Sequence, residues 1–202
     1  MEDTFKTIAK PSEGLFKDKG SRFISYAFPV NSEIEIREIV QSIKKEHHSA
    51  RHHCYAWRIG AEKLLFRVND DGEPSSTAGK PILGQIQSFD LTNIVIVVVR
   101  YFGGTLLGVS GLINAYRNAA LDAINQAEIT ENIVGKWLLI EFDYKVMNEV
   151  MKIFKDEKLP QIDPQFDLSC KVKTQIRLSE SDRIINELLK IDRVSVINIL
   201  SI

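Results

Sequence analysis

The sequence predicts an α+β protein built from two domains. Its 202 residues leave room for two small hydrophobic cores. From Trp137 onward, strand and helix periodicities alternate as β-α-β-β-α-β. Before Trp137, both periodicities surround one continuous aliphatic strand, residues 94–99. We expect the boundary near residues 131–136 and predict domains of residues 1–134 and 135–202.

The first predicted elements are a strand over residues 22–28, ended by Pro29, and a helix. Ser32 and Glu35 have the spacing of a capping box, which predicts the helix start. The helix has one apolar stripe. This stripe comprises Ile36, Ile39, Val40 and Ile43.

An antiparallel pair of strands is predicted next, over residues 54–59 and 64–68. Residues 69–80 have the composition of a turn, and a short helix is expected from Pro81. Residues 94–99 are continuous and β-branched, which is typical of a strand buried on both faces.

A glycine-rich turn, residues 103–111, leads into the last helix of the first domain. Apolar residues at helical spacing predict its buried face. They are Val109, Leu112, Ile113, Tyr116, Ala120, Ala123 and Ile124.

The second domain begins with a strand over residues 137–142 and a helix over residues 144–157, stopped by Pro160. Two further strands, residues 161–166 and 168–178, precede a helix from Ser179. A last strand covers residues 194–200. The inward residues of the two helices are predicted to be Met147, Val150, Met151, Phe154, Ile184, Ile185, Leu188 and Leu189. This order predicts a ferredoxin-like domain.

Composition excludes several function classes. The 26 basic and 27 acidic residues give a net charge of −1, so no global positive field attracts nucleic acid or anionic lipid. Only Cys54 and Cys170 are present, which fits a reducing compartment. No targeting segment or membrane span is recognisable, and we predict a cytoplasmic protein without membrane contact.

The histidines cluster at His47, His48, His52 and His53, beside Cys54. Imidazole and thiolate are zinc ligands, but adjacent residues of a strand point to opposite faces and no second cluster completes a site. The dinucleotide-binding pattern G-x-G-x-x-G is absent as well. We therefore predict no metal and no cofactor.

Acidic residues crowd the turn at Asp70, Asp71 and Glu73. Crowded carboxylates can act in acid/base chemistry or hold Mg²⁺, and the alternative is a polar surface turn. A hydroxyl-rich stretch with Thr77 follows and enters a helix N-terminus, where backbone N–H groups favour anions.

Arg100 and Tyr101 end the aliphatic strand, immediately before Gly103 and Gly104. A charge beside glycines at a strand end is a common site position. Two interpretations stay open: a binding site, or a scaffold in which Arg100 pairs with Asp71 or Glu73. The candidate residues of an N-terminal cleft are Arg22, Arg51, His53, Asp71, Glu73, Thr77, Arg100, Tyr101, Gly103 and Gly104.

A second candidate surface lies in the C-terminal domain. Lys171, Lys173 and Arg177 share one face of a strand, near the outward Trp137. Cations beside an aromatic residue suit RNA or an acidic protein surface. The alternative is an ordinary solvated sheet face.

Several separate motifs stand in register along the chain. They are Ser21-Arg22-Phe23, Ala50-Arg51-His52-His53-Cys54-Tyr55-Ala56-Trp57, Asp70-Asp71-Gly72-Glu73-Pro74, Thr77-Ala78-Gly79-Lys80-Pro81, Val98-Val99-Arg100-Tyr101-Phe102-Gly103-Gly104 and Leu107-Gly108. Together they resemble the IMPACT family, in its bacterial YigZ-type branch, over the whole chain.

The resemblance implies a two-layer N-terminal fold like the second domain of ribosomal protein S5, followed by a ferredoxin-like domain. The pair would then look like the fourth and fifth domains of elongation factor G, which work on the ribosome. Eukaryotic members regulate translation by binding the activator of a starvation-sensing kinase through an extra N-terminal RWD domain. Arg22 lies near the start of this sequence, so the resemblance leaves open whether that route applies here. The resemblance assigns no catalytic residue.

Two functions follow as hypotheses. The first is a non-enzymatic regulatory or binding protein linked to translation, with a translation-associated protein as partner or with weak binding to RNA or the ribosome. The second is a hydrolase of a small anion, whose carboxylate, histidine and arginine residues converge on the N-terminal cleft. A merely structural role for these polar residues is a third.

Overall fold

The computed structural model describes residues 4–199 as a mixed α/β protein with several sheets and five α-helices. The strands are β1 (Thr4–Ile8), β2 (Ser12–Asp18), β3 (Ser21–Pro29), β4 (His52–Ile59), β5 (Leu65–Asn69), β6 (Ile94–Tyr101), β7 (Ile129–Ile133), β8 (Gly135–Asp143), β9 (Ile162–Phe166), β10 (Ser169–Arg177) and β11 (Val194–Ile199). The helices are α1 (Glu33–Glu46), α2 (Gly79–Ser88), α3 (Gly108–Asn125), α4 (Met147–Asp156) and α5 (Leu178–Leu188). Leu200, which the sequence places in the last strand, is outside the described residues.

Contacts divide the chain into two compact units. One comprises Phe5–Asn132, and the other contains the chain from Ile133 onward. None of the helices within residues 4–199 is long and apolar enough to cross a bilayer.

The first unit is organised around β6, the middle strand of an antiparallel sheet with the order β2-β3-β6-β4-β5. Residues 94–99 are fully buried, because α2 and α3 cover one face of the sheet and α1 covers the other. The two-layer arrangement implied by the family resemblance is therefore wrong in this respect. A strand that is apolar on both faces requires cover on both, and this unit has three layers.

Local signals explain the helix starts. The Ser32 hydroxyl accepts the backbone N–H of Glu35 and caps α1. Helix α2 begins at Gly79, two residues before the predicted start at Pro81. In α3, Val109 is exposed rather than buried as predicted, because it lies in the first turn of the helix.

Three strands were not predicted from the sequence: β1, β2 and β7. Strands β1 and β7 pair with each other, and β2 lies at the sheet edge against α3. Strand β2 and helix α3 lie so close together that a Cβ atom at Gly14 would be 2.4 Å from the backbone nitrogen of Ala123. These short strands are defined by their partners more than by their own periodicity.

The second unit has the element order β8-α4-β9-β10-α5-β11 and a sheet of order β11-β8-β10-β9. Its core joins Leu138, Ile140 and Phe142 of β8 to both helices. The opposite face of the sheet carries Trp137. Leu189, predicted inward, is half-exposed because α5 ends one residue earlier.

Candidate functional site

The sheet of the first unit separates the predicted cleft residues into two groups. Arg22 lies opposite Tyr101, and His52 lies opposite Arg100. Residues directly opposite each other share a face, whereas consecutive residues do not. Arg100 and His52 therefore lie on the α2/α3 face, while Arg22, Tyr101 and His53 lie on the α1 face. The predicted convergence of Arg22, His53 and Arg100 on one cleft is wrong.

A buried polar network occupies the α2/α3 face at the end of β6. Arg100 Nη1 donates to Glu73 Oε1 at 2.7 Å, and the Tyr116 hydroxyl donates to the same oxygen at 2.7 Å. Cys54 Sγ lies 3.3 Å from the Tyr116 hydroxyl oxygen. Of the two pairings open to Arg100 from sequence, the one with Glu73 forms.

Burial determines the charge states of this network. The side chains of Arg100 and Glu73 are 7% and 3% exposed, so each ion compensates the other in a region of low dielectric. Burial raises the pKa of the Cys54 thiol and that of the Tyr116 hydroxyl, and both stay neutral at pH 7. Cys54 is therefore a structural thiol rather than a nucleophile.

Asp70 holds the loop that carries Glu73. Its carboxylate accepts the backbone N–H groups of Ser76, Ala78 and Gly79 at 2.8–3.1 Å. The Asp70 carboxylate therefore supplies the negative charge that is expected at the start of α2. The Thr77 hydroxyl donates a hydrogen bond to the carbonyl oxygen of Pro74 at 2.6 Å. Its role is therefore to stabilise the loop.

Asp71 and His53 lie on the α1 side. The Asp71 carboxylate accepts Lys44 Nζ at 2.9 Å and the backbone N–H of His53 at 2.7 Å. Burial opposes ionisation of Asp71, but these two hydrogen bonds outweigh it and hold its pKa below the ordinary value. His53 Nε2 donates to the carbonyl of His47 at 3.1 Å.

His47 sits between two tyrosines on the same face. Its ring nitrogens lie 2.8 Å from the Tyr26 hydroxyl and 2.9 Å from the Tyr101 hydroxyl. The Arg22 guanidinium lies 5.1 Å from the centre of the Tyr101 ring. Arg22 and Tyr101 thus belong to a separate cluster from Arg100.

The glycines after β6 shape the backbone. A Cβ at Gly103 would lie 1.9 Å from the carbonyl carbon of Gly20, so only glycine allows the two backbones to approach. Gly104 has a φ of +87°, a conformation that glycine adopts without strain.

A cavity of about 470 Å³ opens beside the buried network. Arg51, His52, Glu73 and Arg100 form its polar wall. The remaining lining is mostly apolar and comes largely from the segment between β6 and the first turns of α3.

The rim of this cavity is apolar. Phe102, Leu106 and Val109 are 54%, 83% and 60% exposed, and all three line the cavity. Neighbouring exposed apolar side chains beside charged groups are characteristic of interaction sites.

Lys171, Lys173 and Arg177 lie on one face of the second unit's sheet, and their charges are partly paired. Lys171 lies 2.6 Å from Glu141, and Lys173 lies 3.0 Å from Asp163. Arg177 is exposed. Trp137 shares this face of the sheet through its position on β8.

No group of three or more histidine, cysteine or acidic side chains within residues 4–199 is arranged to hold a metal ion. The His47–Cys54 stretch distributes its potential ligands over both faces of the sheet.

Sequence reasoning missed the roles of Cys54, Tyr116 and Asp70. Tyr116 was expected only as part of an apolar helix stripe, and Asp70 only as one of several crowded carboxylates. A signal was available for Tyr116, since a phenol on an otherwise apolar buried stripe requires a hydrogen-bond partner.

The arrangement favours binding over proton transfer. Both acidic candidates for a base are engaged, Glu73 by two donors and Asp71 by Lys44 and the His53 backbone. Arg51, by contrast, is exposed, and no carboxylate of residues 4–199 pairs with it. The free charge of the cavity is therefore positive and lies beside the apolar rim.

Known proteins are similar to this chain over most of its length. The Impact N-terminal domain matches residues 19–124. The IMPACT family member YvyE of Bacillus subtilis (strain 168) is 36% identical over 154 residues, 74% of this chain and 71% of its own length. The IMPACT family member YigZ of Escherichia coli (strain K12) is 43% identical over 120 residues, 58% of this chain and 59% of its own. A solved structure, described as the crystal structure of a hypothetical protein, aligns over 99% of both chains with a TM-score of 0.72 and 26% identity.

Proposed function

Because this chain belongs to the IMPACT family, we propose that it is a regulatory binding protein that acts in translation through a protein partner. The family resemblance supports this role, since eukaryotic members regulate translation by binding another protein. The proposal includes the cytoplasmic location predicted from the sequence.

The proposed domains are residues 1–134 and 135–202. For the second, a ferredoxin-like assignment is supported by the order β8-α4-β9-β10-α5-β11. For the first, an assignment like the second domain of ribosomal protein S5 has to include α1 on the additional face. Fold analogy of this kind supports the translation link but does not locate the binding site.

One observation carries the proposal: the apolar rim of the cavity stands open beside Arg51, a cation that pairs with no carboxylate of residues 4–199. Phe102, Leu106 and Val109 are exposed and line the cavity, and Arg51 lines it too. Removing such side chains from water on binding contributes about 25 cal/mol per Å² of apolar area. We therefore propose that a partner protein covers these apolar side chains when it binds, and that they are exposed only in the free chain.

RNA or ribosome binding through the cationic face of the second unit is the weaker alternative. The carboxylates beside Lys171 and Lys173 offset their charges, and the whole chain carries a net charge of −1. Because affinity for a phosphate backbone scales with the number of phosphates neutralised, this face supports only weak, salt-sensitive binding.

Sedimentation of the full chain from cell extract, at low and high salt, tests the proposal. We expect co-migration with ribosomal fractions or a translation-associated complex. Leu106→Asp should abolish it, because a charge on the rim cannot be buried without a partner. Leu64→Asp is the matched control, since Leu64 is also largely exposed but does not line the cavity.

The outcomes separate the alternatives. Co-migration that survives Leu64→Asp but not Leu106→Asp supports a protein partner at the rim. Loss on charge reversal of Lys171, Lys173 and Arg177 together, with Leu106→Asp unaffected, supports RNA instead. Absence of co-migration at both salt concentrations overturns the proposal.

A further inference from the structure

We infer that the cavity receives a short partner segment in which a carboxylate stands next to a large apolar side chain, an inference that rests on the proposed function. The cavity combines an excess of hydrogen-bond donors in its wall with an apolar rim. The donors favour the carboxylate of such a segment, and the apolar rim favours its apolar side chain.

The donors of the wall come from two arginines, of which Arg51 is exposed and Arg100 is buried. A guanidinium has five N–H donors in a planar fork that matches a carboxylate. Arg100 uses Nη1 for Glu73, whereas its buried Nε has no hydrogen-bond partner among residues 4–199. Arg51 is exposed in the same wall and forms no ion pair with a described carboxylate.

Glu73, the carboxylate of the wall, does not reverse this balance. Its side chain is almost fully buried and already accepts from Arg100 and Tyr116. His52 Nδ1 lies 2.9 Å from the Asp71 carbonyl oxygen. Because a carbonyl only accepts, Nδ1 carries a proton, and an imidazole ring brings no negative charge to the wall. The charge left for a ligand is positive.

The start of α3 adds to the same preference. Leu107, Gly108 and Val109 line the cavity, and α3 has no side-chain cap at its N-terminus. Backbone N–H groups of an uncapped first turn favour a negative charge nearby. This contribution supplements the arginines and does not stand alone.

The rim selects the apolar half of the segment and argues against a nucleic acid. The cavity volume, about 470 Å³, lies within the range of roughly 300–1,000 Å³ typical of ligand pockets. An RNA strand brings a phosphate at every nucleotide and needs a track of cations. Here a single exposed arginine lies beside Phe102, Leu106 and Val109, which suits one acidic residue and one aromatic or aliphatic neighbour.

A titration with a defined probe tests this inference. The probe is the tetrapeptide Gly-Phe-Asp-Gly, acetylated and amidated at its ends, added to the full ¹⁵N-labelled chain. We expect chemical-shift changes concentrated at residues 51–52, 73 and 100–109. Replacing Asp by Asn, or Phe by Ala, in the probe should each weaken binding about tenfold.

Protein variants provide the matched control. Arg51→Gln should weaken binding of the Asp probe about tenfold and leave binding of the Asn probe unchanged, because it removes only the charge pair. Arg117→Gln should change neither, since Arg117 is an exposed arginine of α3 that does not line the cavity. Equal weakening by both variants overturns the inference, as do shift changes outside the cavity.

A parallel titration with a tetrauridine oligonucleotide tests the alternative that the cavity binds RNA. Shift changes at the cavity with this oligonucleotide and none with the peptide overturn the inference in favour of RNA. Peptide binding without co-migration in the sedimentation experiment leaves the inference standing and removes the proposed function. Co-migration that depends on Leu106, with no effect of Arg51→Gln on either assay, removes the inference and leaves the proposed function standing.

Discussion

The cavity at the end of β6 and the open face of the second sheet both carry cations, but they use them differently. At the cavity, Arg100 is held by a buried carboxylate while Arg51 has no partner among residues 4–199. On the second sheet, Lys171 and Lys173 each meet a carboxylate at the surface. The number of cations on a surface therefore does not identify a binding site. The charge that remains after internal pairing, together with the surrounding polarity, does.

The strongest test of this comparison removes the buried pair. Glu73→Ala leaves the Arg100 charge buried and uncompensated, and we expect a loss of about 3–5 kcal/mol in the free energy of unfolding. Urea denaturation measures it. The double variant Glu73→Leu with Arg100→Met, which removes both charges, should recover most of that loss. A Glu73→Ala protein as stable as the parent would show that the network does not support the cavity wall.

The next test concerns the loop that carries Glu73. Asp70→Ala removes the acceptor of three backbone N–H groups and should cost about 2 kcal/mol, at the upper end for helix caps. Thermal or urea unfolding checks this value. Ser75→Ala, at an exposed position of the same loop, should stay within about 0.5 kcal/mol of the parent. If both variants behave alike, Asp70 does not hold the loop.

A smaller effect is expected at Asp71, on the other face of the sheet. Its lowered pKa means that the ionised carboxylate stabilises the fold above its ordinary pKa of about 3.9, and that this contribution disappears as the pH falls through the lower folded-state value. Asp71→Asn should lower stability by about 1 kcal/mol at pH 7 and converge with the parent under acid conditions. Urea unfolding from pH 7 down to pH 2, through the region below the ordinary pKa, measures the convergence. A constant difference over that range would contradict it.

The smallest effect is expected on the second sheet. Exposed ion pairs contribute little, so Lys171→Gln with Lys173→Gln should change the free energy of unfolding by about 0.5 kcal/mol or less. Binding of the acidic probe peptide should also be unchanged. The matched control is Glu141→Gln, which removes the anionic side of one pair. A large loss of unfolding free energy or of peptide binding in the lysine variant would contradict this prediction and would point to the second sheet, rather than the cavity, as the binding surface.

Most helices and central strands could be predicted from the sequence, because their signals are local. The stripe of Ile36, Val40 and Ile43 predicted α1, and the aliphatic run before Arg100 predicted a strand buried on both sides. The strands β1, β2 and β7 were missed, since each is short and depends on a distant partner.

The candidate site was predicted less completely. Glu73, Arg100 and Arg51 do line one cavity, and the pairing of Arg100 with Glu73 was one of two open alternatives. Arg22, His53 and Tyr101 were assigned to the same cleft, although they lie on the other face. The error concerns residues directly beside correctly placed ones, so it arises from the alternation of faces along a strand rather than from residue type.

By itself, the sequence determined the family, the mixed α/β class and the residues from which a site can be built. Motifs and periodicities are properties of neighbouring residues, and they survive without knowledge of the fold. The tertiary structure alone decided which of those residues meet: it placed Arg100 with Glu73, Tyr116 and Cys54, and left Arg51 beside an apolar rim. The physical reason is that a strand shows alternate residues to opposite faces, so a function shared by distant segments depends on how they pair.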